Sequence, residues 1–139
     1  MAATASARWE GSLKEGSGSI ATGSGLASTF SRASRFADGA GTNPEELIAV
    51  AHAGCFSMAL SFALGNGGFA PQSIDTRAAL TLEKQESGFA ITAIHLTTRA
   101  HVPGLDSAKF LEIANGAKAG CPVSKVLKAT ITLDATLVP

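Results

Sequence analysis

Two cysteines carry the chemistry that this 139-residue chain can offer. Cys55 sits in a nearly unbroken apolar run, Ala51-His52-Ala53-Gly54-Cys55-Phe56-Ser57-Met58-Ala59-Leu60, whereas Cys121 stands directly before a proline in Ala119-Gly120-Cys121-Pro122-Val123-Ser124. A thiolate is the strongest nucleophile available here, and a second thiol can close an oxidised first one as a disulfide, so the pair points to redox chemistry. Taken singly, Cys55 reads equally well as a small core hydrophobe. Cys121 has the better local case: Gly120 breaks the preceding helix, Pro122 suits the first position of the next, and a thiolate at the N-cap would face free backbone N–H groups. Residue physics alone therefore ranks Cys121 ahead of Cys55 as nucleophile.

A thiolate inside an apolar helix needs a fixed positive charge beside it, because burial alone raises the thiol pKa. The nearest basic residues before that helix are Arg32 and Arg35, and Glu45 or Glu46 at its start offers a carboxylate to hold a guanidinium fork. Ten residues of straight helix hold Glu45 and Cys55 about 15 Å apart along the axis. Either the helix bends, or Arg35 and Glu45 serve the Cys55 of a partner subunit; alternatively, Arg35 is a surface residue and Glu45 only complements the helix dipole. His52, three residues before Cys55, is on roughly the same helical face and is either a thiolate partner or a buried, hydrogen-bonded histidine.

The elements that must position these groups follow from hydrophobic periodicity. Residues 1–42 are rich in Gly, Ser, Thr and Ala, with extended candidates at 7–10, 19–22 and 29–36, and Trp9, Ile20, Phe30 and Phe36 give this β meander something to bury. Residues 43–64 form the central helix, with Asn43 as N-cap, Pro44 at the first helical position, Glu45 and Glu46 at the positive end of the dipole, and a Gly-rich stop. Apolar residues occur nearly all round it, so burial on every side is expected. Residues 73–102 form a β hairpin. Its second strand changes phase after Ile91, which calls for a bulge near Thr92 or Ala93. Residues 106–128 form helices carrying Cys121, the first capped by Asp106, with Phe110, Ala114 and Ala117 on one face. Residues 129–138 close the chain as a strand. The order predicts one α+β domain over residues 1–139 with antiparallel sheets.

Composition narrows the function classes. The chain is 45% hydrophobic and 16% charged, so apolar surface is expected to be shared between subunits of a homodimer. Eleven basic residues balance eleven acidic ones with no basic run, which removes the electrostatic footprint of a nucleic-acid binder. No secretory leader is visible. The apolar stretch 47–64 approaches the length of a membrane span but lacks flanking basic or Trp/Tyr anchors, and is read as a core helix of a soluble, cytoplasmic protein with no membrane partner. The histidine and cysteine spacings suit no common metal-ligand pattern.

Longer motifs add a resemblance. Gly41-Thr42-Asn43-Pro44-Glu45-Glu46-Leu47-Ile48 running into His52-Ala53-Gly54-Cys55-Phe56-Ser57-Met58-Ala59-Leu60, together with Ala117-Lys118-Ala119-Gly120-Cys121-Pro122-Val123-Ser124-Lys125-Val126-Leu127, closely resembles the OsmC/Ohr family of thiol-dependent organic hydroperoxide reductases. Trp9-Glu10-Gly11, Ser73-Ile74-Asp75-Thr76, Gly88-Phe89-Ala90-Ile91-Thr92 and Ile131-Thr132-Leu133-Asp134 extend the resemblance over essentially the whole chain. His52, where Ohr proteins usually carry Tyr, points to the OsmC branch.

This resemblance implies an OsmC-like fold, an intertwined homodimer in which two antiparallel β-sheets enclose the central helices, with active sites at the subunit interface. Cys55 stands at the position of the peroxidatic cysteine and Cys121 at that of the resolving one, which reverses the local ranking. Arg35 falls on the catalytic arginine and Glu45 on the glutamate that orients it, while Arg32 has no match. The implied cycle uses no cofactor, reduces organic hydroperoxides to alcohols through a Cys55 sulfenate and a Cys55–Cys121 disulfide, and is recharged by a dithiol such as a dihydrolipoyl group. Gly54, where relatives often have Ala, is expected to loosen packing beside Cys55. A redox-sensing or apolar-ligand-binding module of the same fold, and a general thiol peroxidase served by small thiols or thioredoxin, are the alternatives.

Overall fold

A computed structural model describes all 139 residues, and its chain divides into two compact units, Met1–Leu47 and Ile48–Pro139. The first unit is a three-stranded antiparallel meander, β1 (Ala5–Glu10), β2 (Ser17–Thr22) and β3 (Ala27–Phe30), followed by a one-turn helix α1 (Arg32–Phe36) and the first residues of α2 (Pro44–Asn66). Trp9 and Phe30 pack with ring centroids 5.3 Å apart, which gives these Gly- and Ser-rich strands an apolar anchor.

The third strand is shorter than its sequence predicts. An extended run over residues 29–36 was the expectation, but pairing stops at Phe30 and Arg32–Phe36 is helical. The cause is a reciprocal cap: the Ser34 amide donates to the Ser31 hydroxyl at 3.1 Å, and the Ser31 amide donates to the Ser34 hydroxyl at 2.8 Å. Each bond satisfies a backbone donor that a strand continuing past Phe30 would leave unpaired, and such a cap contributes about 1 kcal/mol.

In the second unit, β4 (Ser73–Gln85), β5 (Gly88–His101) and β6 (Thr130–Leu137) form one sheet, with α3 (Ser107–Gly120) and α4 (Pro122–Val126) between the last two strands. The expected bulge is present: Thr81 pairs with Ala93 and Leu82 with Ile91, so Thr92 is the extra residue. One pairing departs from the expected antiparallel order. β6 lies parallel to β5, because the α3–α4 crossover returns the chain to the end of the sheet from which β5 departs.

The core of this unit joins Phe56, Leu60 and Leu64 of α2 to Ile94, Leu96 and Ala100 of β5 and to Phe110, Ala114 and Ala117 of α3. Phe56 and Phe110 are fully enclosed, a burial worth about 1.5–3 kcal/mol for each ring. Polar groups at the helix–sheet boundary are paired: the Ser57 hydroxyl reaches Thr76 Oγ1 at 2.8 Å, and Thr76 meets the buried Thr98 at 3.0 Å.

α2 is long and apolar enough to cross a membrane by length and composition. It is not buried on every side as its composition predicts. His52, Phe56, Leu60 and Leu64, four residues apart in turn, form its packed stripe, while Val50, Met58 and Phe62 on the opposite face are 64%, 76% and 72% exposed. The second unit supplies one three-stranded sheet for this helix to lie on. Gly54 falls on the bare face, and an added Cβ would meet open space, so this glycine does not loosen packing within the chain as expected.

Candidate active site

The two thiols are brought together by long-range packing. Cys55 projects from the middle of α2, and Cys121 occupies the junction between α3 and α4, ending the first helix and starting the second. Both are free thiols, and their sulfurs lie 2.9 Å apart across 66 residues of sequence. A disulfide bond is about 2.05 Å long, so closure needs only a small approach.

Their environments differ in a way that decides which sulfur ionises first. Burial pushes the Cys55 thiol up, and the hydrogen bond and charge of Cys121 push it further, against a smaller opposing pull from the Val123 amide. Burial also pushes Cys121 up, but the Cys55 thiol, the Ser124 amide and hydroxyl, and the Val123 amide together outweigh it and hold Cys121 below its ordinary value. No side-chain cap bond closes on the Cys121 sulfur in the reduced pair; these donors act on it as the free N–H groups of a helix start do. No cation appears among the groups that act on Cys55. Within their own surroundings, then, the two thiols are pushed in opposite directions, Cys55 up and Cys121 down.

His52 is completely buried, and its Nε2 meets the Ser124 hydroxyl at 2.7 Å. Of the two readings offered by the sequence, the buried, hydrogen-bonded one holds. Burial lowers its pKa, which keeps the ring neutral. The sequence signal for Ser124 is its place three residues after Cys121, at the third residue of the helix that Pro122 starts.

The guanidinium candidate is built locally in the first unit. Arg35 Nε contacts both Glu45 oxygens at 3.1 Å, and its Nη2 reaches Oε1 at 2.5 Å. This is a charge-assisted fork on a carboxylate, with Arg35 36% and Glu45 13% exposed. The connection between α1 and α2 holds it in place. The buried Ser34 donates to the Thr42 carbonyl at 2.7 Å, Asn43 Nδ2 donates to the Ser34 carbonyl at 3.0 Å, and Asn43 Oδ1 caps α2 through the Glu46 amide at 2.8 Å. Gly41, at φ 103°, makes the turn, and an added Cβ would lie 2.4 Å from the Thr29 carbonyl oxygen. Only glycine satisfies both conditions. Arg35 also borders an apolar hollow of about 290 Å³ lined by Trp9, Leu13, Phe30, Arg32 and Phe36.

Residues 37–136 match the family described as OsmC-like protein. The chain belongs to the OsmC-like family. It is 55% identical over 130 residues to Peroxiredoxin OsmC of Escherichia coli strain K12, covering 92% of this chain and 91% of that protein. Organic hydroperoxide resistance protein OhrB of Bacillus subtilis is 31% identical over 98 residues, 70% of each chain. The crystal structure of that OhrB superposes with a TM-score of 0.72, covering 97% of this chain and 98% of its own. An OsmC-like protein of Mycoplasma pneumoniae, at 14% identity and a TM-score of 0.79 over 100% of this chain and 99% of that one, shares the fold. The α+β architecture with two sheets and intervening helices is therefore that of the OsmC and Ohr proteins. The family match begins two residues after Arg35, so the guanidinium lies outside the matched span while both cysteines and Glu45 lie inside it.

Proposed function

We propose that this protein is a thiol peroxidase that reduces organic hydroperoxides to alcohols. The observation that carries the reading is the pair of free thiols 2.9 Å apart in a chain of the OsmC-like family. The names of its relatives, a peroxiredoxin and an organic hydroperoxide resistance protein, support the same substrate class.

The cycle assigns Cys55 as nucleophile. Its thiolate attacks the terminal peroxide oxygen, the O–O bond breaks, the departing alkoxide takes a proton and leaves as alcohol, and Cys55 becomes a sulfenic acid. Cys121 then attacks that sulfur, an S–S bond forms as the S–O bond breaks, and water is released. A dithiol of the dihydrolipoyl kind returns both cysteines to thiols and is itself oxidised to a disulfide.

The unassisted thiol pair favours the charge on Cys121, so Cys55 needs help that its own surroundings do not supply. Arg35, oriented by Glu45, is the group assigned to stabilise the Cys55 thiolate and the charge developing on the peroxide. Glu45 and Cys55 are ten positions apart along α2, which favours Arg35 and Glu45 acting on the Cys55 of a partner subunit. The bare apolar face of α2 fits a homodimer, in which a second copy covers Val50, Met58 and Phe62. The hollow beside Arg35 supplies an apolar wall for the organic part of the substrate and favours it over hydrogen peroxide.

The test is steady-state turnover of cumene hydroperoxide and of hydrogen peroxide, each with dihydrolipoamide or dithiothreitol, followed by mass spectrometry of the cysteines. Organic hydroperoxide is expected to be preferred, Cys55→Ser to be inactive, and Cys121→Ser to complete one turnover and then over-oxidise at Cys55. A sulfenate that forms first on Cys121, or failure to consume either peroxide, would overturn the assignment. A sensing module would instead oxidise once without sustained turnover.

A further inference from the structure

Arg32 lines the same apolar hollow as Arg35 but takes no part in the peroxide cycle above. The hollow belongs to the first unit. Trp9, Leu13, Phe30 and Phe36 form most of its wall, the two arginines are its only charged members, and no acid lines it. The two cations are committed differently. Arg35 spends its fork on Glu45 and lies over the Phe36 ring, 5.2 Å from the centroid, so its charge is matched within the chain. Arg32 is exposed, and its guanidinium has no hydrogen-bond or ion-pair partner. Helix stability does not account for it either: at the first position of α1 a cation faces the free N–H end, where the dipole disfavours positive charge.

An apolar hollow with one unmatched cation at its wall suits an amphipathic anion: the wall takes a hydrocarbon chain, and the guanidinium presents a planar fork that matches a carboxylate. At about 290 Å³ the hollow holds a chain of about ten methylene-sized groups, taking roughly 30 Å³ for each, as for a water molecule. Arg32 and Arg35 are three residues apart on α1, which puts them on one side of that turn. We propose that Arg32 selects hydroperoxides that also carry a carboxylate, of the kind that form on free fatty acids: it pairs with the carboxylate, the hollow takes the chain between, and the peroxide end meets Arg35. This rests on the peroxidase reading and names a substrate class within it. Arg32 meets the far end of the substrate and not the reacting oxygens, so it acts on capture and not on the chemical step. Because Arg32 is in contact with water, the pair is worth about fivefold in affinity and is screened by salt.

Trp9 is the only tryptophan of the chain and lines the hollow, so its fluorescence reports occupancy without turnover. The full-length protein is titrated with decanoate and with decanol at low and high salt. Decanoate is expected to bind Arg32→Ala about fivefold more weakly than wild type. Arg32→Lys should keep most of the affinity, Arg32→Glu should lose more than Arg32→Ala, and decanol should bind all four proteins alike. High salt should weaken decanoate on wild type and leave decanol in place. In steady state, Arg32→Ala should raise KM for linoleic acid hydroperoxide by the same factor without changing kcat, and leave KM for its methyl ester where it was. Decanoate affinity unaltered by Arg32→Ala would overturn the proposal. So would a loss of decanol affinity in the same proportion, which would make Arg32 part of the wall and not the partner of a carboxylate. A wild-type protein that binds decanoate through Arg32 yet consumes no hydroperoxide would overturn the peroxidase reading and leave the carboxylate site standing.

Discussion

The thiol pair and the guanidinium–carboxylate pair solve opposite problems. Cys55 and Cys121 meet across 66 residues of sequence, the first partly and the second fully buried, where ionisation is opposed by burial and nearby donors push the two sulfurs in opposite directions. Arg35 and Glu45 meet across ten residues at a partly exposed edge, where the local structure needs only to aim the guanidinium at the carboxylate. The thiols are reactive because their protonation is adjustable. The guanidinium is useful because its charge is permanent, so the protein spends its local hydrogen bonds on orientation.

The sharpest way to break this division is to separate the two pairs onto different chains. Cys55→Ser and Glu45→Ala, each expected to be inactive alone, are unfolded and refolded together. If a site combines Cys55 of one subunit with Glu45 of the other, each heterodimer regains one working site, and statistical pairing returns roughly a quarter of wild-type activity per chain. Confirmed heterodimers with no activity would mean that the site is assembled within one subunit.

The next test removes the permanent charge. Arg35→Ala should raise the pH needed to alkylate Cys55 and slow peroxide attack about a hundredfold, the scale of losing one preorganised charge-stabilising donor. Arg32→Ala, which lacks the carboxylate fork, should change neither. An unchanged alkylation profile in Arg35→Ala would remove the guanidinium from the mechanism. A smaller effect is expected from Ser34→Ala. It takes away the hydroxyl that bonds the Thr42 carbonyl and Ser31 amide behind Arg35, at a cost of about 1–2 kcal/mol in stability, with peroxide kcat/KM falling several-fold as the arginine loses its support. A denaturation midpoint equal to that of wild type would show that the cap carries no weight.

The smallest effect concerns His52. Burial holds its folded-state pKa below the usual 6.5, so as the pH falls below 6.5 the unfolded chain binds a proton that the folded chain does not. By linkage, stability is full above that pH and declines below it. His52→Gln should flatten this part of the decline, read as a smaller difference between denaturation midpoints at neutral and mildly acid pH. An unaltered acid slope would place the loss on other groups.

Some of this arrangement was legible in the residues. Asn43 and Pro44 announce the start of α2, Asp106 that of α3, and the phase slip after Ile91 locates the bulge, because caps and alternation are local properties of the backbone. Other features depended on partners distant in sequence. Thr29 to Phe36 reads as an extended candidate because Phe30 and Phe36 give it something to bury, and only the Ser31–Ser34 cap and the Ser34–Thr42 bond turn its second half into a helix. The parallel placement of β6 has no mark in its own alternation, since Ile131, Leu133, Ala135 and Leu137 face inward in either direction. Apolar residues on every side of α2 imply cover on every side, but composition does not say whether one chain or two provide it.

The sequence by itself determined the inventory: two thiols, an arginine ten residues ahead of a helix-starting glutamate, and the helix and strands that carry them, all set by short-range steric and hydrogen-bonding preferences. Only the tertiary structure decided which groups touch. The 2.9 Å approach of Cys55 and Cys121 and the bond from His52 to Ser124, 72 residues apart, arise from packing α3 and α4 against α2 and the sheet. A contact of that kind is a property of the closed core, in which distant surfaces fit, and no local pattern of residues encodes it alone.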